Sequence, residues 1–120
     1  NPFISTKNYE EAIKLFIKNK KKFNSLFSTT IVKNHFWSNK KKPINHNPFS
    51  KKHIVAAKLE PVFFQNGGIF IRKKNEMKKD GRFIGSKPLM FAMDELTGWD
   101  LDYEWQMNVA RHLKNKKYVY

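Results

Sequence analysis

A chain of 120 residues with 24 Lys and Arg against 10 Asp and Glu carries a formal charge of +14, while 40% of it is hydrophobic, including 11 Phe. That length allows one domain at most, able to bury roughly two-thirds of its unfolded surface, and the apolar content is enough for a packed core. No cysteine is present, which excludes a disulfide framework, a thiolate metal site and a cysteine nucleophile and fits a cytoplasmic protein, and no apolar run nears the roughly 18 residues of a membrane span.

In chain order, Asn8 and Glu11 form a capping-box-like pair, and Tyr9, Ala12, Ile13, Phe16 and Ile17 recur at helical spacing. A helix is therefore expected, ending near the lysine group at 20–22, whose charge suits the negative end of the helix dipole. Ser25–Val32 is short, rich in Thr and Ile, and bounded by Asn24 and Asn34, which predicts a strand. Residues 33–60 have little periodicity and contain Pro43 and Pro48, so they read as a long excursion. Residues 68–72 are expected as a strand, 74–79 as one helical turn stopped by Gly81, and 89–93 and 98–102 as two further strands. The last predicted element is a helix over 103–114 with Trp105, Val109 and Leu113 inward. Alternating helices and strands predict an α/β layered fold.

Three motifs stand in order in the second half. They are Asn66, Gly67, Gly68, Ile69, Phe70, Ile71; then Arg82, Phe83, Ile84, Gly85, Ser86, Lys87, Pro88; then Trp99, Asp100, Leu101, Asp102. If residues 99–102 end a strand, its two-residue period points both carboxylates to one side, a common way to hold a hard divalent cation against a phosphate. The plainer reading is that Asp102 caps the final helix, with Glu104 adding favourable charge in its first turn.

The ordered set resembles the acylneuraminate cytidylyltransferases, the CMP-sialic acid synthetases and their relatives acting on nine-carbon acids. Residues 9–27 resemble that family's helix and following strand, and Asn1, Pro2, Phe3, Ile4 and Ser5 look like a variant of its Ser-Pro-Leu-Arg-Thr motif. The family's opening glycine-rich, basic loop has no counterpart among Gly67, Gly68, Gly81, Gly85 and Gly98. The resemblance thus implies part of a Rossmann-like nucleotidyltransferase fold lacking its N-terminal nucleotide-binding half, with residues 1–120 the C-terminal part of a cytidylyltransferase domain. The isolated chain is expected to be inactive.

The parent reaction implied by the resemblance is attack of a keto-acid hydroxyl on the α-phosphate of CTP, releasing pyrophosphate. In that setting Asp100 and Asp102 would hold Mg²⁺. Gln65, Asn66, Gly67, Gly68 and Arg82 would bind substrate, the glycines by permitting close backbone approach. A structural ion pair is the alternative for Arg82. Phe83 stands where the motif is commonly polar or basic, and Ile4 replaces the Arg of the Pro-Leu-Arg motif. Residues 34–64 correspond to the arm that packs on a second subunit, implying a homodimer. Their content of Phe36, Trp37, Ile44, Phe49, Ile54, Val55, Val62, Phe63 and Phe64 is high for an exposed loop, and folding back on the chain's own sheet is the alternative.

The charge invites a search for nucleic acid. The lysines, however, fall in short groups at 20–22, 40–42, 51–52, 73–74, 78–79 and 116–117, and only Arg72, Arg82 and Arg111 supply guanidinium groups. Arginine dominates specific base readout, so a solvated basic surface is expected and a nucleic-acid partner is not. The competing hypothesis is a non-catalytic basic α/β module that binds RNA or another polyanion; a third is a degenerate dimerisation or regulatory subunit. His35, His46, His53 and His112 have no metal-ligand spacing. His35 and His46 lie in the arm, where they could meet the acidic sugar or simply sit on the surface. Ser28, Thr29 and Thr30 have no nearby base, so serine catalysis is not expected.

Overall fold

The central strand β1 (Ser25–Val32) is flanked by β2 (Val62–Arg72) and β3 (Pro88–Met93) in the order β2-β1-β3, a three-stranded mixed sheet. The computed structural model describes residues 1–116, so Lys117 of the last basic group lies outside the described residues. Among the described residues three helices accompany the sheet, α1 (Thr6–Asn19), α2 (Lys74–Asp80) and α3 (Glu104–Asn115), with a single 3-10 turn at Ala56–Lys58. The protein is thus a small mixed α/β domain. Strands β1 and β3 run parallel, in register from Ser25 opposite Pro88 to Thr30 opposite Met93.

The chain divides into two compact units. One comprises Asn1–Thr30 and Gln65 onward; the other is Ile31–Phe64. In the first unit the core is Ala12 and Phe16 of α1, Leu26 of β1, Ile69 of β2 and Met93 of β3, with Ile4, Leu15, Ile71, Leu89 and Phe91 packed around them. A strand between two neighbours is expected to be buried along its length rather than alternately. From Ser25 to Thr30 only Phe27 is incompletely buried.

That central strand is mostly hydroxylic, so each buried hydroxyl needs a partner. Ser25 Oγ accepts from Gly85 N–H at 2.9 Å, and Ser28 Oγ accepts from Ile69 N–H at 2.8 Å. These bonds stitch backbone from outside β1 onto the strand, a use of Ser and Thr that the hydropathy pattern does not reveal.

Several sequence expectations change in detail. The cap of α1 is Ser5, and Asn8 is the third helical residue, whose Oδ1 accepts from Ser5 N–H at 2.8 Å. The α1 stripe is only partly inward: Ala12 and Phe16 are buried, whereas Tyr9, Ile13 and Ile17 are exposed. Strand β2 begins at Val62, upstream of the apolar run at 68–72. Helix α2 ends at Gly81, whose φ of 68° and N–H bond to Met77 O at 2.8 Å form a left-handed stop.

Residues 98–102 do not form a strand. Asp94 closes a turn just before them, accepting from Leu96 N–H, Thr97 N–H and the Thr97 hydroxyl at 2.9, 2.9 and 2.6 Å. Partial burial raises its affinity for a proton, but those three bonds outweigh burial and hold the carboxyl below its ordinary range. Gly98 N–H then bonds to Asp94 O, and Trp99 N–H to Leu96 O, so the chain curls instead of pairing. The inward face of α3 is also different: Ala110 is buried, with Gln106 and Leu113 half-buried, while Trp105 and Val109 are exposed. The small Ala110 lets the helix approach closely; the two larger side chains lie on the other face.

Candidate functional site

Asn66 is the centre of the polar interior of the first unit. It has no exposed surface, and all its side-chain hydrogen-bonding capacity is used. Its Oδ1 accepts from Ser28 Oγ at 2.5 Å and from Gly68 N–H at 3.1 Å. Its Nδ2 donates to Thr30 Oγ1 at 3.0 Å and points a second hydrogen at Met93 Sδ, 3.8 Å away. Acceptance from the N–H two residues on is the Asx arrangement that bends a chain.

The bend is completed by Gly67, whose φ of 69° lies in the left-handed region, open to glycine at little cost. Gly98 lies against the same cluster. A Cβ there would collide with Thr30 Oγ1 and come within 2.6 Å of Asn66 Nδ2, so only glycine permits this approach. Asn1 Nδ2 ties the two segments together, donating to the carbonyls of Asn66 at 3.2 Å and Gly98 at 3.1 Å.

This clamp carries Asp100 to the bend. A Cβ added at Gly67 would stand 4.0 Å from Asp100 Oδ2, an ordinary contact distance. The Asp100 side chain keeps 43% of its surface exposed, and its Oδ1 lies 3.9 Å from the backbone nitrogen of Asn1. Asp102 is exposed. It does not cap α3: Tyr103 holds the cap position, and Gln106 Oε1 accepts from both Asp102 N–H at 2.7 Å and Tyr103 N–H at 2.9 Å. Its carboxylate has neither a hydrogen bond nor an ion pair among the described residues. Because residues 98–102 are not a strand, the two-residue period that would align the two carboxylates does not apply.

The other predicted residues gather elsewhere in the same unit. Gln65 and Arg82 line one shallow cavity of about 340 Å³ with Phe70 and Phe83, whose rings stand 5.5 Å apart. The Arg82 side chain is 70% exposed and only loosely paired, with Nη2 at 3.3 Å from Asp80 Oδ2. The buried guanidinium is Arg72, with 7% of its side chain exposed; it grips Asp80 with two bonds of 2.6 and 2.7 Å and donates to Arg82 O at 2.9 Å. The fork-on-carboxylate pairing lowers the Asp80 proton affinity first, assisted by Arg82 N–H, and raises that of Arg72.

Sequence reasoning missed Ser28, Thr30, Gly98 and Arg72. For Ser28 and Thr30 the available signal was the hydroxyl-rich strand, since buried Ser and Thr must have partners.

Two carboxylates are a partial ligand set. Among the described residues no group of three or more His, Cys, Asp or Glu is arranged to hold a metal ion. Mg²⁺ ordinarily takes one or two carboxylates and completes its shell with phosphate and water, so the donor chemistry of Asp100 and Asp102 suits it. No helix among the described residues is long and apolar enough to cross a membrane. Compared with known proteins, the chain matches no family model and no curated protein.

Proposed function

We propose that this chain belongs to a cytidylyltransferase that activates a sialic-acid-like keto sugar with CTP, giving a CMP-sugar and pyrophosphate. The observation that carries the reading is the approach of Asp100 Oδ2 to the glycine bend at Gly67, which joins two motifs far apart in sequence. The mixed sheet with its parallel β1–β3 pair is compatible with part of a Rossmann-like nucleotidyltransferase fold.

In this reading Gly67 lets phosphate or sugar oxygen reach the backbone; Gly68, expected to share that task, instead faces Ile4 and gives its N–H to Asn66. Asn66, saturated internally, positions the bend and makes no ligand contact through its side chain. Gln65 and Arg82 would meet polar or anionic substrate groups from their own cavity. Asp100 and Asp102 would hold Mg²⁺, which when bound offsets charge on the reacting phosphate. The sugar hydroxyl attacks the α-phosphate and pyrophosphate leaves, so the protein's task is alignment and charge stabilisation rather than covalent catalysis.

Exposed Trp37, Phe49, Phe63 and Phe64 in the Ile31–Phe64 unit favour a homodimer through that segment. The test of function is turnover. In the enzyme that contains this segment, Asp102→Asn should abolish CMP-sugar formation from CTP and a nine-carbon keto acid while leaving the fold intact. Retained activity removes the assignment. The polyanion reading predicts instead a tight, sequence-selective RNA complex that persists at physiological salt, where a merely basic surface binds weakly and loses affinity steeply as salt rises.

A further inference from the structure

The Ile31–Phe64 unit holds a second cluster of chemistry-bearing side chains, whose interpretation does not rest on the reading above. A tight turn over 38–42 starts it. Ser38 N–H donates to Lys42 O at 2.7 Å, and Lys41 takes a positive φ of 61°. The chain folds back so that Trp37 bridges Pro43 and Ile44 N–H reaches Phe36 O at 2.9 Å. Asn45 clips the base, accepting from Phe36 N–H and donating to the carbonyls of Asn34 and Glu60.

This arrangement collects three histidines that are dispersed in sequence. His35 meets His46 edge-on with ring centroids 5.0 Å apart and stacks on His53 at 5.3 Å, while Trp37 meets His46 at 5.2 Å. The four rings, with Ser50, Lys51 and Lys52, line a cavity of about 290 Å³. That is at the lower end of the volumes that hold small ligands.

Three imidazoles suggest a metal first, but two observations oppose it. Among the described residues no three ligands are arranged to hold a metal ion. The cavity is lined by Lys51 and Lys52 and by no carboxylate, so its field repels a cation. What the site lacks is negative charge. His46 Nδ1 is buried without a hydrogen-bond partner, an arrangement that costs free energy unless a ligand or water completes it. Ser50 Oγ accepts from Lys52 N–H at 3.3 Å, which leaves its own hydrogen available to donate. His35 Nε2 is already engaged with Ile54 O at 3.0 Å.

We propose that this cavity binds a small phosphate-bearing molecule, with the His46 imidazole and the Ser50 hydroxyl as donors and Lys51 and Lys52 as counter-charges. The titratable and charged groups lining it are His35, His46, His53, Lys51 and Lys52. None of them is acidic, and an imidazole offers N–H donors on both nitrogens only when protonated. Binding therefore strengthens in acid. The aromatic walls of Trp37 and His53 favour a phosphate carried on a ring.

The test is an NMR titration that follows the histidine ring signals and the Trp37 indole with sulfate, inorganic phosphate, phenyl phosphate and Zn²⁺. Sulfate stays a dianion over the useful pH range, whereas phosphate titrates within it, so sulfate isolates the contribution of the protein. The expected result is saturable, coincident shifts of His35, His46 and His53 with sulfate, tighter at pH 5.5 than at 7.5, and tighter binding of phenyl phosphate than of inorganic phosphate. His46→Asn should weaken sulfate about tenfold, and Lys51→Gln, a surface change that leaves the packing alone, by a few-fold. Shifts that never saturate, or that the two substitutions leave unchanged, overturn the proposal. So does saturation by Zn²⁺ with no response to any of the three anions.

Discussion

The polar cluster around Asn66 and the histidine cavity around His46 solve the same problem in opposite ways. In the first, every polar atom of the buried side chain finds a partner within the chain: Ser28, Gly68, Thr30 and Met93 surround it. In the second, the His46 Nδ1 nitrogen is buried and left open, beside lysines without a counter-charge. Apolar groups follow the same division. The first unit packs Leu26, Ile69 and Met93 together, while Leu59 is the only buried apolar side chain of the Ile31–Phe64 unit and Phe49 is 84% exposed. The first region is saturated within the chain, and the second leaves a buried nitrogen and large apolar side chains without partners among the described residues.

This contrast can be broken most directly at Asn66. Asn66→Leu should destabilise the fold by about 3 kcal/mol or more, because it strands the Ser28 and Thr30 hydroxyls and the Gly68 N–H in the interior. Urea unfolding measures this; a loss under about 1 kcal/mol would mean that water replaces the amide and the cluster is not closed. Gly98→Ala should cost about 1–3 kcal/mol by overpacking against Thr30 and Asn66, read by the same unfolding curves.

Charge substitution in the other unit should behave differently. Phe63→Asp should leave the unfolding free energy of the monomer within about 0.5 kcal/mol, as surface changes generally do, while abolishing self-association in sedimentation. A monodisperse monomer before substitution would count against the dimer. The smallest expected effect is electrostatic. Arg72 holds the Asp80 carboxyl below its ordinary range, so the pair stabilises the folded chain above about pH 4, the carboxylate's unfolded value. That contribution fades as pH falls toward the depressed folded value. Stability profiles of the native chain and Asp80→Asn should therefore diverge above pH 4 and converge in strong acid; a constant gap would show that the carboxylate's charge is not responsible.

Local patterns in the sequence carried much of the first unit. Strand β1 was legible to its ends because Asn24 and Asn34 bracket a β-branched, hydroxylic run. Gly81 announced the stop of α2. The inward face of α3 was not legible, since hydrophobicity alone selects Trp105 and Val109, whereas close packing selects Ala110. The expected strand at 98–102 failed for a similar reason: an apolar pattern cannot show that Asp94 will close a turn ahead of it. Of the candidate residues, Asp100 and Gly67 were legible as members of two ordered motifs. The saturation of Asn66 was not, because its partners Ser28 and Thr30 lie far away in sequence. The histidine cavity depends on a turn and on Asn45 clips that have no periodic signature.

The proposed function requires the glycine bend and Asp100 to face one metal-bound phosphate. Paramagnetic broadening by Mn²⁺ in the presence of CTP tests it most directly, using amide signals of the isotopically labelled chain. Weak but localised broadening is expected, strongest at Gly67, Gly68, Asp100 and Asp102, and lost in Asp100→Asn. Broadening spread equally over exposed carboxylates such as Glu10, Glu11 and Glu95, and unchanged by that substitution, would contradict it.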